Sequence, residues 1–147
     1  MFDKILVCLD GSKLAEQILP FAIQEAIRFE SRLVLLRVAA PMPAASANYG
    51  VASEEMVKMK SQNHKEAVTY LERIAEEIQA ERNVEIEYSV KVGLAAETIV
   101  EFAEQNRVGL IAIATHGEGG IKRLVFGSVA DYVLRNANLP MLVIKPV

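Results

Sequence analysis

Hydrophobic positions along this chain fall into short continuous runs that alternate with stripes of helical period. Ile5-Leu6-Val7-Cys8-Leu9 is wholly apolar and leads directly into the turn signal Asp10-Gly11-Ser12. Such a run predicts a strand buried on both faces. From Ser12 the period changes. Leu14, Ile18, Ala22, Ala26 and Phe29 repeat at helical spacing, and Ser12 is placed to cap that helix. Pro20 lies inside the stripe and is expected to kink it, because proline removes a backbone donor. Leu33 to Val38 predicts a second buried strand, and Pro41 to Gly50 a loop rich in Ala, Pro and Ser. A long helix follows. Ser53 is its expected cap, Glu54 and Glu55 suit its positive end, and Met56, Met59, Ala67, Leu71, Ile74 and Ile78 form its core-filling stripe.

The second half repeats the alternation with one difference. Val84, Ile86, Tyr88, Val90 and Val92 alternate strictly with Glu85, Glu87, Ser89 and Lys91, which predicts a strand with one wet face, hence a sheet edge guarded by charge. A helix is expected from Ala95 to Gln105, an apolar strand from Leu110 to Ala114, and a helix from Ser128 to Arg135 with Ser128 and Asp131 spaced for a capping box. Met141 to Ile144, entered through Pro140, is the fifth strand. Strands alternating with helices imply right-handed crossovers and a mainly parallel sheet. The most apolar strands, the first and fourth, belong at its centre and the third at an edge. The order 3-2-1-4-5 satisfies both conditions, giving an open five-stranded α/β sheet with helices on both faces, Rossmann-like. The expectation is one domain over residues 1–147.

That order reverses between strands one and four, and ligands of open α/β sheets bind at such a reversal, beyond the carboxyl ends of the strands. The loops that meet there are Asp10-Gly11-Ser12 and Thr115-His116-Gly117. The second runs on through Glu118-Gly119-Gly120 to Gly127-Ser128-Val129 at the start of the last long helix, with Lys122 and Arg123 in between. Glycines let backbone amides approach phosphate oxygens, and a helix N-terminus favours an anion. A plain connection into a capped helix also fits this stretch. The familiar nucleotide signatures are absent: there is no Gly-Lys pair for a P-loop and no G-x-G-x-x-G after the first strand.

Composition narrows the field further. Sixteen basic against nineteen acidic residues, a net charge of -3, give no footprint for a nucleic-acid backbone. With Cys8 the one cysteine and two histidines, a closed Cys/His zinc site is excluded. No signal peptide opens the chain and no apolar stretch approaches a membrane span, so the cytoplasm is the expected location and no membrane partner is expected.

The turns and their spacing resemble the universal stress protein family over essentially the whole chain, Lys4 to Pro146. Strand, Asp-Gly-Ser and helix stand at the start, and Thr-His-Gly, nine residues and Gly-Ser-Val at the end. The family's ATP-binding branch carries G-x2-G-x9-G-[S/T]. Gly117, the nine residues Glu118 to Phe126, and Gly127-Ser128 match it, while Ala114 stands where the first glycine belongs. An alanine there would be strained if the backbone required a positive φ. The resemblance implies a stress-response regulatory protein that binds ATP, or AMP or ADP, with or without magnesium. It implies a nucleotide site of Cys8, Asp10, Val38, Ala114, Thr115, His116, Gly117, Gly127, Ser128 and Val129. Within it Asp10 stands beside the nucleoside, a carboxylate suited to ribose hydroxyls or the adenine amine, and the backbone of Val38 meets adenine. It also implies a homodimer through the last strand, Met141, Leu142, Val143 and Ile144.

Two other functions stay open on the residues. One is a weak ATP hydrolase or phosphotransferase, for which Asp10 and Glu118 could hold a metal but no base is evident beside His116. The other is a stress-linked interaction module without nucleotide, supported by Ala114. Slow hydrolysis is the most that is expected of the chain as an enzyme. No catalytic residue and no resident protein metal site is expected. His64, on the polar side of the long helix, is expected to be solvated.

Overall fold

The computed structural model describes residues 1–41, 54–115 and 127–147. Strand β1 (Lys4–Leu9) leads through Ser12 into α1 (Lys13–Glu16) and α2 (Leu19–Phe29), then β2 (Arg32–Ala39). The long helix α3 (Glu54–Glu81) precedes β3 (Ile86–Val92) and α4 (Ala95–Gln105). Strand β4 (Leu110–Ala114), α5 (Ser128–Asn136) and β5 (Met141–Ile144) complete the order. The five strands form one sheet, β3-β2-β1-β4-β5, in which all four pairings are parallel.

Alternate side chains of the central strands enter two separate layers. Ile5, Val7, Leu9, Leu33, Leu35, Leu110 and Ala112 pack with Ile18, Ala22 and Ala26 and with Leu71, Ile74 and Ile78 of α3. Leu6, Cys8, Val34, Leu36, Ile111 and Ile113 face Ile99, Phe102 and Ala103 of α4 and Ala130 and Val133 of α5. Burial on both faces is why β1 and β4 read as unbroken apolar runs. β5, paired on one side alone, is half-buried throughout.

Four expectations need correction. Pro20 does not kink one helix. The stripe is split at Gln17 and Ile18, and Pro20 is the second residue of α2, where its missing N–H has no intrahelical acceptor to lose. Ser128 is not a cap, because Gly127 takes the N-cap with an extended ψ of 155° and accepts from the Asp131 amide at 2.9 Å. Tyr88 and Val92, on the expected dry face of β3, are 41% and 64% exposed, and Val84 is buried just ahead of the strand. The methionines of α3 do not fill the core. Met59 is 54% exposed, Met56 is half-buried, and burial in α3 begins at Ala67.

The last correction has a geometric cause. A 28-residue helix is about 42 Å long, whereas seven or eight strand residues span about 25 Å. The carboxyl half of α3 therefore covers the sheet, and its amino half overhangs the carboxyl ends of the strands. That overhang walls the cleft described next. Ser53, the expected cap of α3, lies outside the described residues.

Candidate functional site

At the carboxyl end of β1 the chain turns through Asp10, Gly11 and Ser12. The Ser12 amide donates to Asp10 Oδ1 at 2.8 Å, and the Ser12 hydroxyl accepts from the Ala15 amide at 3.1 Å, capping α1 as expected. The turn needs φ of +90° at Gly11, a value that side chains resist. Asp10 Oδ2 makes no hydrogen bond among the described residues, so an exposed carboxylate oxygen faces solvent at this rim.

The carboxyl end of β4 is held differently. Ala114 is extended and pairs with Ile144, so alanine in this place costs no backbone strain. Thr115 is buried. Its amide donates to the Ile144 carbonyl at 2.9 Å, and its carbonyl accepts from the Gly127 amide at 2.7 Å. This second bond ties the start of α5 to the end of β4. The amides of Ser128, Val129 and Ala130, in the first turn of α5, have no intrahelical acceptor. Ser128 is exposed, and its hydroxyl makes no hydrogen bond among the described residues. Val129 is half-buried against the α4–α5 layer.

The remaining expected residues divide. Cys8 lies on the strand that ends at Asp10, but its side chain is 7% exposed and packs inside the α4–α5 layer. Burial pushes its thiol up to about 12, so it is a neutral apolar group at physiological pH. Val38 lies two strands from β4, with its side chain on that same layer. His116 and Gly117 lie outside the described residues, as do Glu118, Lys122 and Arg123.

Between the ends of β1, β2 and β3 and the overhang of α3 lies an open cleft of ≈ 850 Å³, lined by Asp10, Arg37, Val38, Lys60, His64 and Val92 among others. Arg37, Lys60, Ser61 and Asn63 in this wall were missed as site residues by sequence reasoning. Arg37 had a signal of its own, a guanidinium inside the apolar run Leu33 to Val38. His64 is exposed, as expected, and it also lines the cleft. Among the described residues, no three His, Cys, Asp or Glu side chains converge to hold a metal ion, and no helix is long and apolar enough to cross a membrane.

A family model described as the universal stress protein family matches residues 1–145. Universal stress protein MJ0531 of Methanocaldococcus jannaschii is 30% identical over 145 residues, covering 99% of this chain and 83% of that protein. The solved structure of MJ0577, from the same organism, superposes with a TM-score of 0.81 at 27% identity, covering 100% of this chain and 98% of that one. A universal stress protein in complex with cAMP superposes with a TM-score of 0.76 at 20% identity over 99% of both chains. Arabidopsis thaliana At3g01520 with AMP bound does so at 0.69 and 17%, over 98% of this chain and 92% of that one.

Proposed function

The chain belongs to the universal stress protein family, and from that premise we propose that it binds an adenine nucleotide (ATP, ADP or AMP, with or without magnesium) across the ends of β1 and β4. One observation carries this reading. The Gly127–Thr115 hydrogen bond sets the N-terminus of α5 at the rim where β1 delivers Asp10. Phosphate oxygens are taken by the free amides of Ser128 and Val129 and by the Ser128 hydroxyl, at the positive end of a helix. The Asp10 carboxylate accepts from the ribose hydroxyls or the adenine amine, and the backbone of Val38 meets the base. Ala114 and Thr115 floor the crevice, Cys8 contributes main chain only, and His116 and Gly117 belong to the same phosphate loop by their spacing. The cAMP- and AMP-bound relatives support the ligand class.

Binding, rather than turnover, is the function. It alters the partner contacts of a cytoplasmic regulatory homodimer joined through the free edge of β5. Isothermal titration with ATP, ADP and AMP tests the site. A nucleotide at 100 times its dissociation constant should add about 2.7 kcal/mol of stability, and Asp10→Ala should lose most of it. No stabilisation by any of the three would end this reading. A monomer in sedimentation at micromolar concentration would end the dimer.

A further inference from the structure

The cleft beside α3 holds a charged group that the nucleotide reading does not use. Arg37 leaves β2 on the face opposite Val38, and its guanidinium folds back over the turn after β1. A Cβ built on Gly11 would stand 3.0 Å from Nη2 and 3.1 Å from Cζ. On its other side the guanidinium lies over the Tyr70 ring, 5.0 Å from the centroid. Contacts with this turn and with the ring restrict the planar group before any ligand arrives.

This half-buried guanidinium has no acceptor among the described residues. Arg32, Arg73 and Arg135 each meet carboxylates, at Glu87, Glu77 and Asp131. Arg37 makes neither an ion pair nor a hydrogen bond among the described residues. The Tyr70 hydroxyl beside it is likewise buried without a hydrogen-bond partner among the described residues. Asp10 lines the same cleft, but its Oδ1 is engaged by the Ser12 amide. Lys60 and Lys65 add two cations and Glu66 one further carboxylate, so the lining carries a positive excess on a chain whose net charge is -3. His64, Ser61 and Asn63 add polar groups from the same helix face.

We propose that Arg37 is the recognition residue of a second anion subsite in this cleft, which takes a phosphate-class group. A five-donor fork fits such a group in bidentate fashion, and Lys60 reinforces it from α3 as a point charge. The adjacent Asp10 then selects for a hydroxyl donor on the same ligand, so the class is a phosphorylated ribose. The identification of that ligand as a nucleotide rests on the reading above, whereas the anion subsite does not. Its occupant is either a second phosphate on the nucleotide's own sugar or a free phosphate species.

The test follows the Arg37 Nε–H resonance in arginine-labelled full-length protein, with inorganic pyrophosphate, AMP and adenosine 3′,5′-bisphosphate as probes. Pyrophosphate should shift that resonance in the wild type, and Arg37→Gln should lose one calorimetrically measured pyrophosphate site while keeping the one at the N-terminus of α5. Arg37→Lys should retain the first of these sites with affinity reduced about tenfold. The bisphosphate should bind the wild type about tenfold tighter than AMP and lose that preference in Arg37→Gln. A pyrophosphate response with no AMP binding would keep the subsite and end the nucleotide reading. AMP binding with no anion response at Arg37, or as many pyrophosphate sites in Arg37→Gln as in the wild type, overturns the subsite. A pyrophosphate response without a bisphosphate preference assigns it to free phosphate.

Discussion

The two walls of the crevice are made of different material. On the β4–α5 side the described polar groups are mostly main chain: the Thr115 carbonyl, the Gly127 amide that meets it, and the open amides of the first turn of α5, with the Ser128 hydroxyl beside them. On the β1–β2–α3 side they are side chains: Asp10, Arg37 and Tyr70, with Lys60 and His64 on the overhang. A main-chain wall tolerates most substitutions, provided the chain keeps its path. A side-chain wall is specific to this chain and changes one residue at a time. On the reading proposed above, generic phosphate binding would belong to the first wall and choice among ligands to the second.

The largest effect should come from cutting the main-chain wall at its tie. Gly127 has φ of -60°, which proline can adopt, so Gly127→Pro removes the N–H at little conformational cost. The buried Thr115 carbonyl then loses its 2.7 Å partner. Urea denaturation should show a loss of up to about 3 kcal/mol, and nucleotide-induced stabilisation should vanish. If the variant is as stable as wild type and still responds to nucleotide, the two walls are not held as described.

The contrast also explains how much could be read in advance. The order and direction of all five strands were legible because burial on two faces writes unbroken apolar runs at β1 and β4, and because charge alternates at β3. The main-chain wall left a trace in Gly127-Ser128, since glycine placement reports backbone geometry. Even there Ser128 was mistaken for the cap, because a serine three residues before an aspartate looks the same whether it is the cap or the first helical residue. Of the side-chain wall, Asp10 was legible and Arg37, Lys60 and Tyr70 were hidden. Those three lie on β2 and α3, far apart in sequence, and they meet because α3 outruns the sheet. Met56 and Met59 misled for the same reason: a continuous helical stripe does not reveal where the sheet beneath it ends.

Gly11→Ala should strain the side-chain wall by about 2 kcal/mol, since φ of +90° is costly for alanine. Its methyl group would also press on the Arg37 guanidinium, 3.0 Å away, which must shift slightly over Tyr70 to make room. Removing the guanidinium first should lower the cost. Gly11→Ala measured in an Arg37→Ala background isolates the backbone term, and equal losses in both backgrounds would show that the guanidinium does not rest on this turn.

Beneath the main-chain wall, Cys8 offers an effect that depends on pH and is modest per pH unit. Its thiol stands at about 12 against an ordinary 9.0 because burial opposes the thiolate. Its contribution is therefore complete below pH 9. From pH 9 towards 12 the unfolded chain releases a proton that the folded chain retains, and stability falls by about 1.4 kcal/mol per pH unit. The difference in slope between wild type and Cys8→Ala measures that share. Parallel pH profiles, or rapid alkylation of the native thiol, would place Cys8 closer to solvent than the α4–α5 layer allows.

The smallest effect should appear at Ser12, where the side-chain wall meets the helix it supports. Ser12→Ala removes the hydroxyl that accepts from the Ala15 amide and should cost about 1 kcal/mol. It leaves the Asp10 turn its own bond, because Asp10 Oδ1 accepts from the Ser12 amide rather than from its side chain. Nucleotide affinity should therefore survive the loss of the cap. If affinity falls along with stability, Asp10 is positioned by the start of α1 and not by its own turn, and this wall is less a set of independent side chains than one coupled unit.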